Sequence, residues 1–351
     1  MNILILRLSS MGDIILTQPI CAILQKHYPD CHIDYVCKKE FKELPELFAP
    51  PVHPLVYEKT LKFHLWLSKR KYNLVLDLHN KFSTFLLMLF LRAPQKVRYH
   101  KKRRIRQRIV KGNKKLKIDS TTDLYASALK KLGINEPWSY PRLQISELPN
   151  SRKFDASFNN QLNGKPENGL PPSNSPELSA KQENNLSPEI NIAVFPGANH
   201  FTKRYPASNW IQLINSNPQY NFTLFGSNAD KDLCAFITRK CSTNCKNKCS
   251  TLSLRELLTE LTYYNLIISG DTGPMHLAAA LNKPQIAIFG GTHPRLGFRP
   301  LNNKAIILCA ELPCQPCSLH GKEKCPFHHF NCMNAISSAL LSSAIKKALE
   351  S

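Results

Sequence analysis

Three short stretches place acids, cations and a histidine where a strand hands over to a helix. In SSMGDIILTQPI (residues 9–20), which follows the apolar run NILILRL, Gly12 and Asp13 stand at such a junction. A carboxylate there can cap the helix from Ile14, or take the proton of a reacting hydroxyl. In PGANHFTKRYP (196–206), Lys203 and Arg204 come just before Pro206 opens a helix. Cations beside a helix start oppose its dipole, so an anion brought from elsewhere explains them; a solvated basic loop is the plainer alternative. In ISGDTGPMHLAAAL (268–281), Asp271 or Thr272 can cap the next helix and Pro274 suits its first turn. The free amides of such a start favour a phosphate, with His276 close by; an ordinary capped helix fits the same letters.

The elements that must hold these groups alternate. NILILRL (2–8), HIDYVC (32–37), HPLVY (53–57) and NLVLDLH (73–79) read as strands, with helical spacing at 15–27 and 61–70 between them. INIAVF (190–195), NFTLFG (221–226), NLIISG (265–270), PQIAIFG (284–290) and AIILC (305–309) repeat the pattern, and Ser253 with Glu256 match a capping box. Residues 147–190 are rich in Asn, Pro, Ser and Glu with almost no apolar period, which reads as a loosely ordered linker. The expected class is α/β: two Rossmann-like doubly wound domains facing a cleft, with ligands beyond the carboxyl ends of the strands. The expected boundaries are 1–146 for an acceptor-binding domain, 147–189 for the linker, 190–333 for a nucleotide-sugar-binding domain and 334–351 for a terminal helix packing back on the first domain.

LSSMGDIILTQPI, PGANHFTKRYP and SGDTGPMHLAAAL, in this order and separation, resemble the ADP-heptose lipopolysaccharide heptosyltransferases, glycosyltransferase family 9, over about residues 1 to 340 outside the linker. The resemblance implies a GT-B fold and an inverting single displacement. It implies Asp13 as the base that deprotonates the acceptor hydroxyl and Lys203 as the cation on the donor diphosphate. Asn199, Thr202, Asp271, Thr272, Gly273 and His276 complete the expected donor site. The family often carries hydroxyl residues where Ala198 and Asn199 stand; Asn199 still offers an amide donor, Ala198 only backbone. Ser10, Gly12, Lys81, Arg103 and Arg104 are the expected acceptor contacts, Gly12 letting backbone approach the substrate. No cofactor is required by this chemistry. A related enzyme using another nucleotide sugar or lipid-linked acceptor fits the same motifs, and a noncatalytic RNA-binding protein is the rival from another class.

The 351 residues carry 47 Lys and Arg against 25 Asp and Glu, a net charge of +22 that implies a polyanionic partner. KKRRIRQRIVKGNKKLK (101–117) holds ten cations and no acid. It reads as a mobile solvated loop or as a contact for an acidic lipid-linked core acceptor or anionic membrane surface; no aromatic side chain interrupts it to stack on bases, which weakens nucleic acid. STFLLMLFLRAP (83–94) could dip into a membrane, but a helix buried against the sheet is the favoured reading. The start lacks the features of a secretory signal and no apolar run reaches the ~20 residues of a span, so a cytoplasmic chain at the inner face of the membrane is expected. DKD (230–232) reads as helix-start chemistry rather than a metal site. Cys314, Cys317, Cys325 and Cys332 have a spacing that could close a structural zinc site, with His320, His328 and His329 as alternates, or stay free thiols. Cys241, Cys245 and Cys249, spaced by four, suggest one helix face packed in a core.

Overall fold

In a computed structural model that describes residues 1–145 and 189–350, the chain forms two parallel sheets. The first half runs β1 (Asn2–Leu6), α1 (Met11–Ile15), α2 (Gln18–His27), β2 (His32–Cys37), α3 (Glu43–Glu46), β3 (His53–Val56), α4 (Leu61–Ser68), β4 (Leu74–Asp77), α5 (Phe82–Phe90), β5 (Gln95–Arg98), α6 (Arg103–Val110) and α7 (Thr121–Lys130). The second runs β6 (Ile190–Phe195), α8 (Ala207–Asn215), β7 (Tyr220–Leu224), α9 (Lys231–Lys240), β8 (Cys245–Asn247), α10 (Leu254–Leu261), β9 (Leu266–Gly270), α11 (Gly273–Ala280), β10 (Gln285–Phe289), β11 (Ala305–Cys309), α12 (Asn331–Asn334) and α13 (Ser338–Leu349). The expected linker lies outside the described residues except for Glu189.

Strand order is β3-β2-β1-β4-β5 in one sheet and β11-β10-β9-β6-β7-β8 in the other, all pairings parallel. Each order reverses beside its first strand, between β1 and β4 and between β6 and β9, and ligands of such sheets gather outside the carboxyl ends at that reversal. The central strands are buried on both faces, which is why they read as unbroken Ile, Leu and Val runs. The edge strands β5 and β8, QKVR and CKN, are short and polar and carry no apolar signal in the sequence.

The two halves share a core rather than merely facing each other. Leu258, Leu277, Leu296 and Leu301 pack in one cluster with Ile5, Ile14, Tyr125 and Leu129. Backbone bonds seal the seam: Ile118 N to Arg295 O (2.9 Å), Thr121 N to Gly297 O (2.8 Å) and Leu143 N to Ala280 O (3.1 Å).

Four expectations are corrected. Helix α13 packs on its own half: Leu341, Ala344, Ile345 and Ala348 form an i, i+3, i+4, i+7 stripe that joins Trp210, Leu213, Ile286 and Ile288. Only three residues separate it from α12, too few to carry it to the other sheet. Residues 103–110 of the basic block are helix α6, not a loose loop; Ile109 is buried and the Arg106 guanidinium donates to Leu296 O (3.2 Å) and Thr121 Oγ1 (2.9 Å). Helix α5 buries only Thr84, Leu87 and Met88, leaving Phe82, Phe85, Leu86, Leu89 and Phe90 in solvent. Cys241, Cys245 and Cys249 fall on a helix end, a strand and a loop, yet they do pack in one core.

Candidate active site

Strand β1 is apolar except at its exit, where Arg7 is buried. A buried guanidinium needs an acid and acceptors, and the chain supplies both within one turn of sequence and one strand of space. Asp13, in α1, forms an ion pair with Arg7 Nη2, and Arg7 Nη1 donates to Leu78 O beyond β4 (2.7 Å). Ser10, immediately before α1, donates its hydroxyl (3.0 Å) and its amide (3.4 Å) to Asp13 Oδ2, while the Tyr125 hydroxyl approaches Oδ1 at 3.4 Å. Burial pushes the Asp13 carboxyl up, but Arg7, Ser10 and nearby His276 outweigh it and hold the group below its ordinary value. The side chain keeps 21% of its surface exposed, against 8% for Asp271, so it is the more accessible of the two acids.

On the facing half, the turn after β9 places Asp271 under Lys203 Nζ (2.9 Å) and the Thr292 hydroxyl (2.7 Å). Thr272 precedes α11, whose first amides have no partner within the helix. His276 is buried, with Nδ1 lacking a protein partner; burial drives it down to about 4 despite Asp271 and Asp13, so it is neutral at pH 7.

Glycines set the approach of these two helices. A Cβ on Gly12 would run into the His276 ring, and one on Gly273 would lie 2.8 Å from Met11 Sδ. Helices α1 and α11 therefore meet tip to tip, which brings Asp13, His276, Lys203 and Asp271 into one electrostatic field. Gly12 serves this helix contact.

The remaining expected residues divide. Thr202 is buried and spoken for: its hydroxyl accepts from Lys322 N (2.8 Å) and its carbonyl from Gly291 N (2.7 Å). It braces the 199–204 loop against the segment around Lys322 and Gly291. Asn199 is exposed at the same loop, and Arg204 closes the loop by donating to Ala198 O (2.7 Å). Lys81 is exposed just before α5, and Arg103 and Arg104 are exposed at the start of α6. Asp230 opens the 230–232 acidic run as helix-start chemistry, accepting from Ser227 N (2.9 Å) and Oγ (2.8 Å).

Several site groups were not expected. His79 is buried with Nδ1 unpartnered, and burial beside Arg7 and Lys81 lowers it to about 3. Burial and the neighbouring Arg7, Arg103 and Lys81 pull Lys101 down to about 8. The cysteine-rich segment reaches the same place, since Lys322 N donates to Thr202 Oγ1 (2.8 Å) beside Lys203; partial desolvation lowers exposed His320 there. Arg7, also unexpected at the site, had a legible signal, a cation inside an apolar strand run; His79, Lys101 and His320 had none.

Among the described residues, metal-type donors converge within 4.8 Å at His32, Asp34 and His53 and at His293, Cys309 and Glu311. Asp34 also accepts from Arg70 (2.9 Å) and Tyr72 (2.6 Å), so it is neutralised by protein donors. Cys314, Cys317, Cys325 and Cys332 form no disulfide; Cys314 Sγ lies 4.0 Å from His329 Nε2, Cys317 Sγ donates to Gly291 O (3.4 Å) and Cys332 is buried in the core.

Two Rossmann-type sheets whose strand-order reversals meet around an acid on one side and a cation with a helix start on the other define a GT-B glycosyltransferase architecture. The chain belongs to glycosyltransferase family 9 (heptosyltransferase), whose model matches residues 60–328. Lipooligosaccharide heptosyltransferase 2 of Campylobacter jejuni subsp. jejuni serotype O:2 is 29% identical over 148 residues, 40% of this chain and 46% of its own length, so that match spans about half of the relative. Lipopolysaccharide heptosyltransferase 2 of Salmonella typhimurium is 24% identical over 335 residues, 88% of each chain. The solved structure of Escherichia coli ADP-heptose lps heptosyltransferase II shares the fold, with a TM-score of 0.73 at 20% identity over 99% of this chain and 98% of that one.

Proposed function

We propose that the chain transfers heptose from ADP-heptose to an acidic lipid-linked core sugar of lipopolysaccharide, by inverting single displacement with Asp13 as base. The observation that carries this reading is the placement of one ionised, reachable carboxylate opposite Lys203 and the start of α11. The relatives, heptosyltransferases of lipopolysaccharide and lipooligosaccharide and an ADP-heptose heptosyltransferase, support the donor and acceptor class.

The acceptor oxygen attacks the anomeric carbon, the bond from that carbon to the diphosphate oxygen breaks with its electron pair, and the acceptor proton passes to Asp13. Arg7 keeps the carboxylate ionised and aimed, at the cost of basicity. A weak base works here because the attacking hydroxyl becomes strongly acidic as its new bond forms, so the proton moves late. Lys203, exchanging Asp271 for phosphate oxygens, and the α11 amides then stabilise the departing diphosphate. Neutral His276 and His79 offer hydrogen bonds without adding charge.

The test is a donor screen with purified protein and a delipidated core acceptor, read by released nucleotide. ADP release that depends on ADP-heptose and acceptor supports the reading; turnover only with other nucleotide sugars moves the chain to another donor. Zinc at the four cysteines is a separate proposal, checked by metal content after purification without added metal.

A further inference from the structure

We propose that the outer face of helices α4 and α5 enters the interfacial layer of an anionic bilayer and holds the enzyme over its acceptor. This rests on the reading that the acceptor is lipid-linked. Eight of the sixteen large apolar side chains exposed among the described residues lie on these two short helices. Leu61, Leu65 and Trp66 of α4 and Phe82, Phe85 and Leu89 of α5 stand out, with Phe82 73% and Leu61 63% exposed. Single exposed apolar residues are ordinary; a clustered set is a contact surface.

The two helices are neighbours, with the His64 and Phe90 rings 5.6 Å apart. Their inner faces are already used: Phe63, Leu67, Leu87 and Met88 pack with Leu6 and Val75 on the sheet. Of the outer side chains, Trp66 lies under the Arg70 guanidinium (4.4 Å) and Phe85 under that of Arg98 (5.3 Å), while Leu61, Leu65, Phe82 and Leu89 join no core cluster. Helices of eight and nine residues are far too short to span a bilayer, and no helix among the described residues is long and apolar enough to do so. Lying in the plane of the interface suits them.

Charge selects the occupant. From Lys59 to Lys117 the chain carries nineteen Lys and Arg against one acid, Asp77, which is buried and paired with Arg98 (2.8 Å). That segment alone accounts for +18 of the net +22. Lys62, Lys81 and Arg92 are exposed on or beside the apolar face. Apolar side chains that insert and flanking cations that meet headgroup phosphates are what an anionic lipid surface recognises; nucleic acid would use the cations and leave the apolar face idle. The same surface leads to the base, since Lys81 and Lys101 act electrostatically on His79 beside Asp13.

The experiment measures partition of the full chain onto vesicles of phosphatidylglycerol with phosphatidylethanolamine and onto neutral phosphatidylcholine vesicles. It compares wild type with the combined variant Leu65→Ser, Phe82→Ser and Leu89→Ser, whose unchanged melting temperature confirms the fold. Partition onto anionic vesicles should exceed that onto neutral ones and should drop by about tenfold or more in the variant, while turnover of a delipidated acceptor stays at the wild-type level. Trp66 emission should shift to the blue on anionic vesicles, and the shift should vanish in Trp66→Phe. Equal partition of wild type and variant overturns the proposal, as does equal partition onto both vesicle types. A lipid-free wild-type dimer that the variant converts to monomer also overturns it, making the face a contact between copies. If the delipidated acceptor is not turned over at all while anionic vesicles still bind, the transfer reading fails and the membrane face stands.

Discussion

Gly12 lies against the imidazole of His276 with no room for a side chain between them. With the approach of Gly273 to Met11, this contact joins α1 to α11 and sets how close Asp13 comes to the Asp271 side. Gly12→Ala should therefore destabilise the protein by about 1–3 kcal/mol, although alanine is the better helix former, because a buried ring must give way. Thermal melts measure the loss, and kcat should fall more than donor affinity because the two helices are pushed apart. A variant as stable and active as wild type would show that the ring moves freely and that this contact sets nothing.

Asp13→Asn should cut kcat by ~10² or more and leave ADP affinity unchanged, the scale of a lost general base. It also leaves Arg7 buried without its acid, costing about 3–5 kcal/mol. The double change Arg7→Met with Asp13→Asn should recover most of that stability and none of the activity. Recovery of both would reduce Asp13 to a structural counter-ion.

Arg7→Met alone should move the acid limb of the kcat/KM profile upward. With the guanidinium gone, burial is left as the dominant influence on Asp13, so its proton is held to higher pH. An unmoved limb would mean that a different group titrates there.

Lys203→Ala should weaken ADP binding by about tenfold or more in calorimetry, since a cation on a diphosphate in a part-buried site contributes one or two strong hydrogen bonds. Asp271 then lacks its cation as well. Lys203→Arg should restore binding in part, because its charge persists while its length differs.

Stability should decline as pH falls below about 6.5. The unfolded chain protonates His276 and His79 near 6.5, whereas the folded chain keeps them neutral until about 4 and about 3. Between those values the unfolded state binds more protons, so each group removes up to about 1.4 kcal/mol per pH unit. His276→Gln should flatten part of that slope in melts recorded from pH 7 to 5; an unchanged slope would place the titration elsewhere.

Much of this molecule was legible in its letters because the buried central strands of both sheets impose the same local demand. Strands covered on two faces must be continuous apolar runs, and in such sheets ligands gather beyond the carboxyl ends, so the candidate residues Asp13, Lys203, Asp271 and His276 stood at readable junctions. What the sequence could not decide were relations between distant residues. That Gly12 meets His276 and that Thr202 accepts from Lys322 depend on residues more than a hundred positions apart, and which sheet receives α13 depends on its packing with Trp210, Ile286 and Ile288. The apolar letters of α5 illustrate the limit most directly: inner and outer faces are equally hydrophobic, so only the packed structure shows which side the core has taken and which it has left in water.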